Sequence, residues 1–226
     1  MSLSVLIADA SVPVAVSLAS ALTSGGHRAA LLSSVSAESP VPEGLQAIPW
    51  NRQSLLSART VPVAAVNLLS SVDCAVVVFD YDAFSRLPSV VEGSRPDRAA
   101  AVSAGIVDSY VTGYAHLAGE FAGRFTREGK GRIVFALVER KVPSEEERLS
   151  QNDRRNVALS VAEGAFERLA EEIAASCERS PAQVSLVKLE GDCDKDWLCS
   201  FVASPTAQRG PARWVKAGKG GFFSKF

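Results

Sequence analysis

Histidine, methionine and aromatic side chains are scarce in this chain of 226 residues: two His, one Met and 7% Phe, Trp and Tyr together. His27 and His116 stand far apart, and Cys74, Cys177, Cys193 and Cys199 form no CxxC pair. That pattern excludes the usual spacings of a zinc site, and no metal is expected. Cys74 lies in the apolar run "DCAVVVFD" and reads as a small buried hydrophobe, whereas Cys193 and Cys199 flank an acidic loop where exposure is expected. An excess of either charge is also missing: 24 Lys and Arg face 25 Asp and Glu, a net charge of −1. A basic nucleic-acid surface over the whole chain and a highly charged, disordered chain are both disfavoured. No apolar run approaches the ~20 residues of a membrane span, and the N-terminus carries no basic leader. The expectation is a cytoplasmic protein with reduced thiols and no membrane partner.

One further absence is local. In "VLIADASVPVAVSLASALTSGGHRAALLSS", Val5 to Ser34, an apolar strand enters a turn, an alanine-rich helix follows, and Gly25-Gly26 ends it before a second apolar run. That is the outline of a nucleotide-binding βαβ unit, yet the turn Ala8-Asp9-Ala10-Ser11-Val12-Pro13-Val14-Ala15 contains no glycine. Pro13 suits the first turn of a helix by itself, with no ligand required.

The composition, 47% hydrophobic, is enough for a full core, and the length suits one α/β domain spanning 1–226 with a basic, aromatic tail over 209–226. Strand-like runs at Ser4 to Ala8, Ala29 to Leu32, Gly44 to Ile48, Cys74 to Phe79, Arg132 to Val138 and Gln183 to Leu189 alternate with helical stretches. The helices are expected at Val14 to Thr23, Arg52 to Ser70 with an interruption at Pro62, Arg98 to Arg127 and Asn152 to Glu178. Continuous Val, Ile and Leu runs of this length suit a parallel sheet covered on both faces, so the fold class is a single doubly wound α/β sheet of the Rossmann type. Gly105, Gly113, Gly119 and Gly123 in one helix cost about 1 kcal/mol each against Ala, which implies close packing there.

In order and spacing these segments resemble the short-chain dehydrogenase/reductase family over nearly the whole chain. "GKGRIVFALVERK" is similar to that family's central strand, "VDSYVTGYAHLAGEF" to the helix before it, and "AEGAFERLAEEIAASCERSPAQVSLVKLEG" to the helix and strand that follow its catalytic tyrosine. The resemblance implies NAD or NADP held by a TGxxxGxG turn, and proton transfer by a tyrosine and lysine assisted by serine and asparagine. Laid on this sequence, the three glycines fall on Asp9, Pro13 and Ala15. The tyrosine falls on Leu159, the lysine on Glu163, the serine on Val138 and the asparagine on Tyr110.

A hydrocarbon at Leu159 shuttles no proton, and a carboxylate at Glu163 raises a neighbouring phenol's pKa where the family's lysine lowers it. What is left of a cofactor site is Asp9, Ser11, Pro13, Ala15, Ser33 and Asp80. Ser33 and Ser34 read as turn residues in "LLSSVSAE", whose first charge, Glu38, comes late for ribose selection. The family's Asn-Asn-Ala-Gly segment is replaced by "FDYDAF", where Asp80, Tyr81 and Asp82 stand at a strand's carboxyl end as an acidic loop or a ligand site. Asp80 and Glu163 make a candidate carboxylate pair. Glu139, Arg140 and Lys141 face the same mouth, and Pro13, Tyr81 and Phe84 are the residues that would plug it.

The expected function is a non-catalytic binding or scaffold subunit with no catalytic residues and no cofactor. The alternatives are an NAD- or NADP-dependent short-chain oxidoreductase with a rearranged site, and nucleic-acid or anionic-partner binding through Arg213, Lys216, Lys219, Lys225 and the tail's aromatics. The resemblance further implies a homodimer or homotetramer through the helices near 99–127 and 152–178 and the tail, with a hetero-partner as another option.

Overall fold

The computed structural model describes residues 2–34, 41–86, 107–140, 154–190, 195–204 and 212–217. Seven strands form one all-parallel sheet: β1 Ser4–Ala8, β2 Arg28–Ser34, β3 Gln46–Trp50, β4 Cys74–Asp80, β5 Arg132–Val138, β6 Gln183–Leu189 and β7 Trp214–Lys216. Their order, β3-β2-β1-β4-β5-β6-β7, reverses direction between β1 and β4. A crevice opens there at the carboxyl ends, because the chain leaves β1 toward one edge and β4 toward the other. Every residue of β1, β4 and β5 is buried, as a sheet covered on both faces requires.

The helices are α1 Pro13–Ser24, α2 Leu55–Leu69, α3 Tyr81–Arg86, α4 Gly113–Glu128, α5 Arg154–Cys177 and α6 Lys195–Ala203, with a π-helical turn Asp108–Thr112 leading into α4. On one face α1 packs against α6; on the other, α2, α4 and α5 lie side by side. Pro13 starts α1 with no side-chain cap, its fixed φ doing that work, and Val14, Ala15, Leu18, Ala19 and Leu22 turn into the core. Arg132, buried at the foot of β5, donates to the carbonyls of Phe201 and Ser204, both at 2.9 Å, and its guanidinium stacks on the Phe201 ring. It thereby ties the foot of β5 to the carboxyl end of α6 through carbonyls of its last turn and of the residue after it. Cys74 is buried beside it, and desolvation pushes its thiol up to about 11.

Several boundaries differ from the sequence-based expectation, each for a local reason. β3 is shifted two residues toward Trp50, taking in Pro49, which an edge strand tolerates because it needs only one partner. α2 starts at Leu55, since Ser54 caps it by accepting from the Ser57 N–H, and it runs unbroken through Pro62. β2 continues to Ser34, so Ser33 pairs opposite Pro49 inside a strand and is not a turn residue. The expected helix from Arg98 is described from residue 107 onward; Gly105, Glu38, Lys141, Cys193, Lys219 and Lys225 lie outside the described residues. Among the described residues no helix is long and apolar enough to cross a membrane, and no group of three or more His, Cys, Asp or Glu is arranged to hold a metal.

Candidate functional site

Beyond the carboxyl ends of β1 and β4 the protein's own side chains form a buried cluster. Asp9, in the turn after β1, is 1% exposed and forms an ion pair with Arg52, which is 8% exposed and comes from the turn after β3. Ser11 completes the cluster. Its backbone N–H donates to Asp9 Oδ1 at 2.7 Å, its hydroxyl donates to the same oxygen, and it accepts from Arg52 Nη2 at 2.8 Å. The short Asx turn explains why Asp stands there, since the carboxylate satisfies a backbone N–H two residues on.

Arg52 lies among three rings. Its guanidinium carbon is 5.0 Å from the Tyr110 centroid and 5.9 Å from those of Trp50 and Phe84, within cation–π range of all three. Phe84 and Tyr110 stack at 3.9 Å. Behind them Phe79 meets Phe84 edge-on at 5.1 Å and Phe166 at 5.3 Å, and Phe166 reaches Phe135 at 5.8 Å. An aromatic column therefore runs from the crevice mouth to the centre of the sheet. Tyr114 borders it, stacking near Trp50 and donating its hydroxyl to the Val78 carbonyl at 3.0 Å; full burial raises its phenol pKa. The buried donors Trp50 Nε1 and Arg52 Nε have no hydrogen-bond acceptor among the described residues.

The sequence-derived site residues separate into distinct surroundings. Ala15 is fully buried in the core, Pro13 is exposed at the start of α1, and Ser33 is half-buried in β2. Asp80 is buried and accepts from the Ala83 N–H at 2.9 Å, so "FDYDAF" is the start of α3 and not a solvated loop. At the four positions matching the family's proton-transfer set, Val138 and Leu159 are buried hydrocarbons, Tyr110 is stacked on Phe84, and Glu163 is half-buried. Desolvation raises the Glu163 pKa, with Glu167 and Asp82 adding and Arg140 and Lys188 opposing. The stability contributed by its proton is present below the ordinary carboxylate range and lost as pH rises through the raised value. Its acidic neighbours are thus Glu167 and Asp82, whereas the carboxyl of Asp80 is committed to α3. Tyr81 carries the guanidinium of Arg140 at 4.4 Å.

Of the three residues named as possible plugs, Phe84 is buried against Tyr110 in this cluster, Tyr81 is buried beside Arg140, and Pro13 is exposed. Arg52 and Trp50, central to this cluster, are not among the sequence-derived site residues, since the sequence pattern puts Arg52 inside a helix whereas the Ser54 cap leaves it in the preceding turn. The signal in the sequence is a pair of opposite charges, Asp9 and Arg52, each placed just after an apolar strand-like run. The first part of the basic, aromatic tail is the edge strand β7, Trp214–Lys216, paired with β6. Trp214 donates to Glu171 at 3.1 Å and Lys216 pairs with Glu139 at 2.9 Å, so these residues belong to the sheet edge.

Among solved structures, a variant of actinorhodin polyketide ketoreductase with NADPH matches at TM-score 0.65 and 14% identity over 95% of each chain. A metagenomic short-chain oxidoreductase in complex with NADP matches at 0.64 and 15%, covering 95% of this chain and 97% of that one. A short-chain dehydrogenase from Rhodopseudomonas palustris matches at 0.63 and 10%, covering 93% and 97%. The fold is therefore the Rossmann-type fold of the short-chain dehydrogenase/reductases. No family model matches the sequence. An uncharacterized protein of Treponema pallidum (strain Nichols) is 30% identical over 231 residues, spanning 100% of this chain and 97% of that protein, and the chain belongs to the same family as it.

Proposed function

We propose that this chain is a non-catalytic binding or scaffold subunit that keeps the short-chain dehydrogenase fold without its cofactor or hydride-transfer chemistry. The observation that carries the reading is the buried pair of Asp9 and Arg52 at the point where strand order reverses. A dinucleotide's pyrophosphate needs backbone N–H donors at a helix N-terminus and glycines that let it come close. Here the first of those positions carries a buried carboxylate, Pro13 has no N–H, and the Cβ of Ala15 is packed into the core. NAD and NADP do not fit this turn. Nor does the described site hold a phenol and amine at the matched positions, where Leu159 and Glu163 stand.

The competing reading, an NAD- or NADP-dependent oxidoreductase with a rearranged site, draws on the NADP- and NADPH-bound neighbours. Thermal unfolding separates the two. A ligand that binds only the folded chain raises the midpoint by mass action. The midpoint is expected to stay fixed in millimolar NADH or NADPH, and a rise of several degrees would overturn the scaffold reading.

The partner surface in this proposal is the outer face of α4 and α5, and the partner is a second copy of the chain. Val157 and Val161, one turn apart on α5, are 65% and 58% exposed, and a Cβ at Gly119 of α4 would meet nothing within 4 Å. An exposed apolar pair on one helix and an unobstructed glycine on the other suit helix packing across a two-fold axis. Sedimentation velocity should give a dimer for the native chain and a monomer for Val161→Glu; a native monomer at tens of micromolar would remove this surface. A cytoplasmic location fits the free thiols of Cys74, Cys177 and Cys199.

A further inference from the structure

We propose that the switch-point crevice is a guanidinium site, opposite in sign to the pyrophosphate site the fold usually builds there, and that Arg52 is its resident ligand, supplied in cis. The inference rests on the reading above that no dinucleotide enters this crevice. The recognition elements are complete without reference to Arg52 itself. Asp9 offers a buried carboxylate as floor, held in place by the Ser11 N–H, and the Ser11 hydroxyl gives a second polar contact. Trp50, Phe84 and Tyr110 form aromatic walls within about 6 Å of the guanidinium carbon, which lies beside the stacked pair of Phe84 and Tyr110, a setting that suits a weakly hydrated planar cation.

Both polar contacts of Arg52 run through a single atom, Nη2, which meets Asp9 and the Ser11 hydroxyl. Its Nε, although buried, finds no acceptor among the described residues. The tether, then, fixes which nitrogen reaches the carboxylate. A free alkylguanidinium can present its fork without that constraint, and it fills the same volume once the Arg52 side chain is shortened. In the native chain the tethered group outcompetes it by effective concentration.

The test compares the native chain, Arg52→Ala, and Arg52→Ala combined with Asp9→Asn, using ethylguanidinium as probe with sodium and choline chlorides as matched controls. At about 20 mM ethylguanidinium, Arg52→Ala is expected to gain a few degrees in unfolding midpoint. The native chain and the double variant should gain nothing beyond the salt controls. Equal response of Arg52→Ala and the double variant, or a choline effect as large, would overturn the site as a carboxylate-based guanidinium cage. If Arg52→Ala does not fold alone, refolding from urea supplies the reading: recovery only with ethylguanidinium supports the site, and no recovery with it overturns the proposal. NADPH is run in parallel. A rise with NADPH on the native chain defeats the scaffold reading, whereas no response to either compound by Arg52→Ala defeats this inference alone.

Discussion

Replacing Arg52 by alanine should lower the free energy of unfolding by about 3–5 kcal/mol, because it leaves the Asp9 carboxylate buried and unpaired. For a chain of this size each kcal/mol moves the midpoint by roughly 2–4 °C, so the fall should be on the order of 6–20 °C. Asp9→Ala should cost a similar amount, since it strands the guanidinium instead. The double variant Asp9→Ala, Arg52→Ala should cost less than the two singles added, because each single carries the penalty of one orphaned charge and the double carries neither. Urea denaturation of the four proteins measures this directly. Additive single effects of under about 1 kcal/mol each would mean that the pair is solvated and the crevice open.

Gly113→Ala should be the most damaging of the glycine-to-alanine changes in α4, because a Cβ there would stand 2.5 Å from the Arg52 carbonyl oxygen and 3.2 Å from its carbonyl carbon. Those are backbone atoms of the turn that carries Arg52, so relief requires moving that turn away from α4, and the guanidinium with it. Overpacking of this kind costs about 1–3 kcal/mol, and part of the ion pair's contribution should be lost as well. Gly119→Ala, with no atom within 4 Å of its would-be Cβ, introduces no such contact and gains helix propensity instead. A loss for Gly113→Ala no larger than that for Gly119→Ala would contradict the packing described here. If the turn moves, the midpoint of Gly113→Ala should also respond less to a second Asp9→Ala change than the native chain does.

The contrast between those two glycines marks where sequence reading stops. Four glycines in one helical stretch imply a close approach, but helical spacing alone does not say what approaches Gly113, because the partner is the backbone of a turn about 60 residues earlier in the chain. The sheet was legible for a simple reason: a strand buried on both faces is a continuous apolar run, and β5 and β6 end where their runs end. β3 was less so, since an edge strand needs no such run and can take in Pro49. That Leu159 and Val138 carry no proton was legible too, because a hydrocarbon cannot perform a proton transfer wherever it lies. The cluster around Arg52 was not. Asp9 in a turn of this kind reads as an intrusion into an anion site, and its partner Arg52 is set against it only because the Ser54 cap leaves that arginine outside α2. An ion pair between two turns has no periodicity to betray it.

Calorimetric titration of the native chain with NADPH tests most directly the proposal that side chains hold the place a dinucleotide would take. At tens of micromolar protein and NADPH raised to about 1 mM, heats equal to dilution in buffer are the predicted result. Saturable uptake approaching one NADPH per chain, with a Kd in the micromolar range, would contradict it.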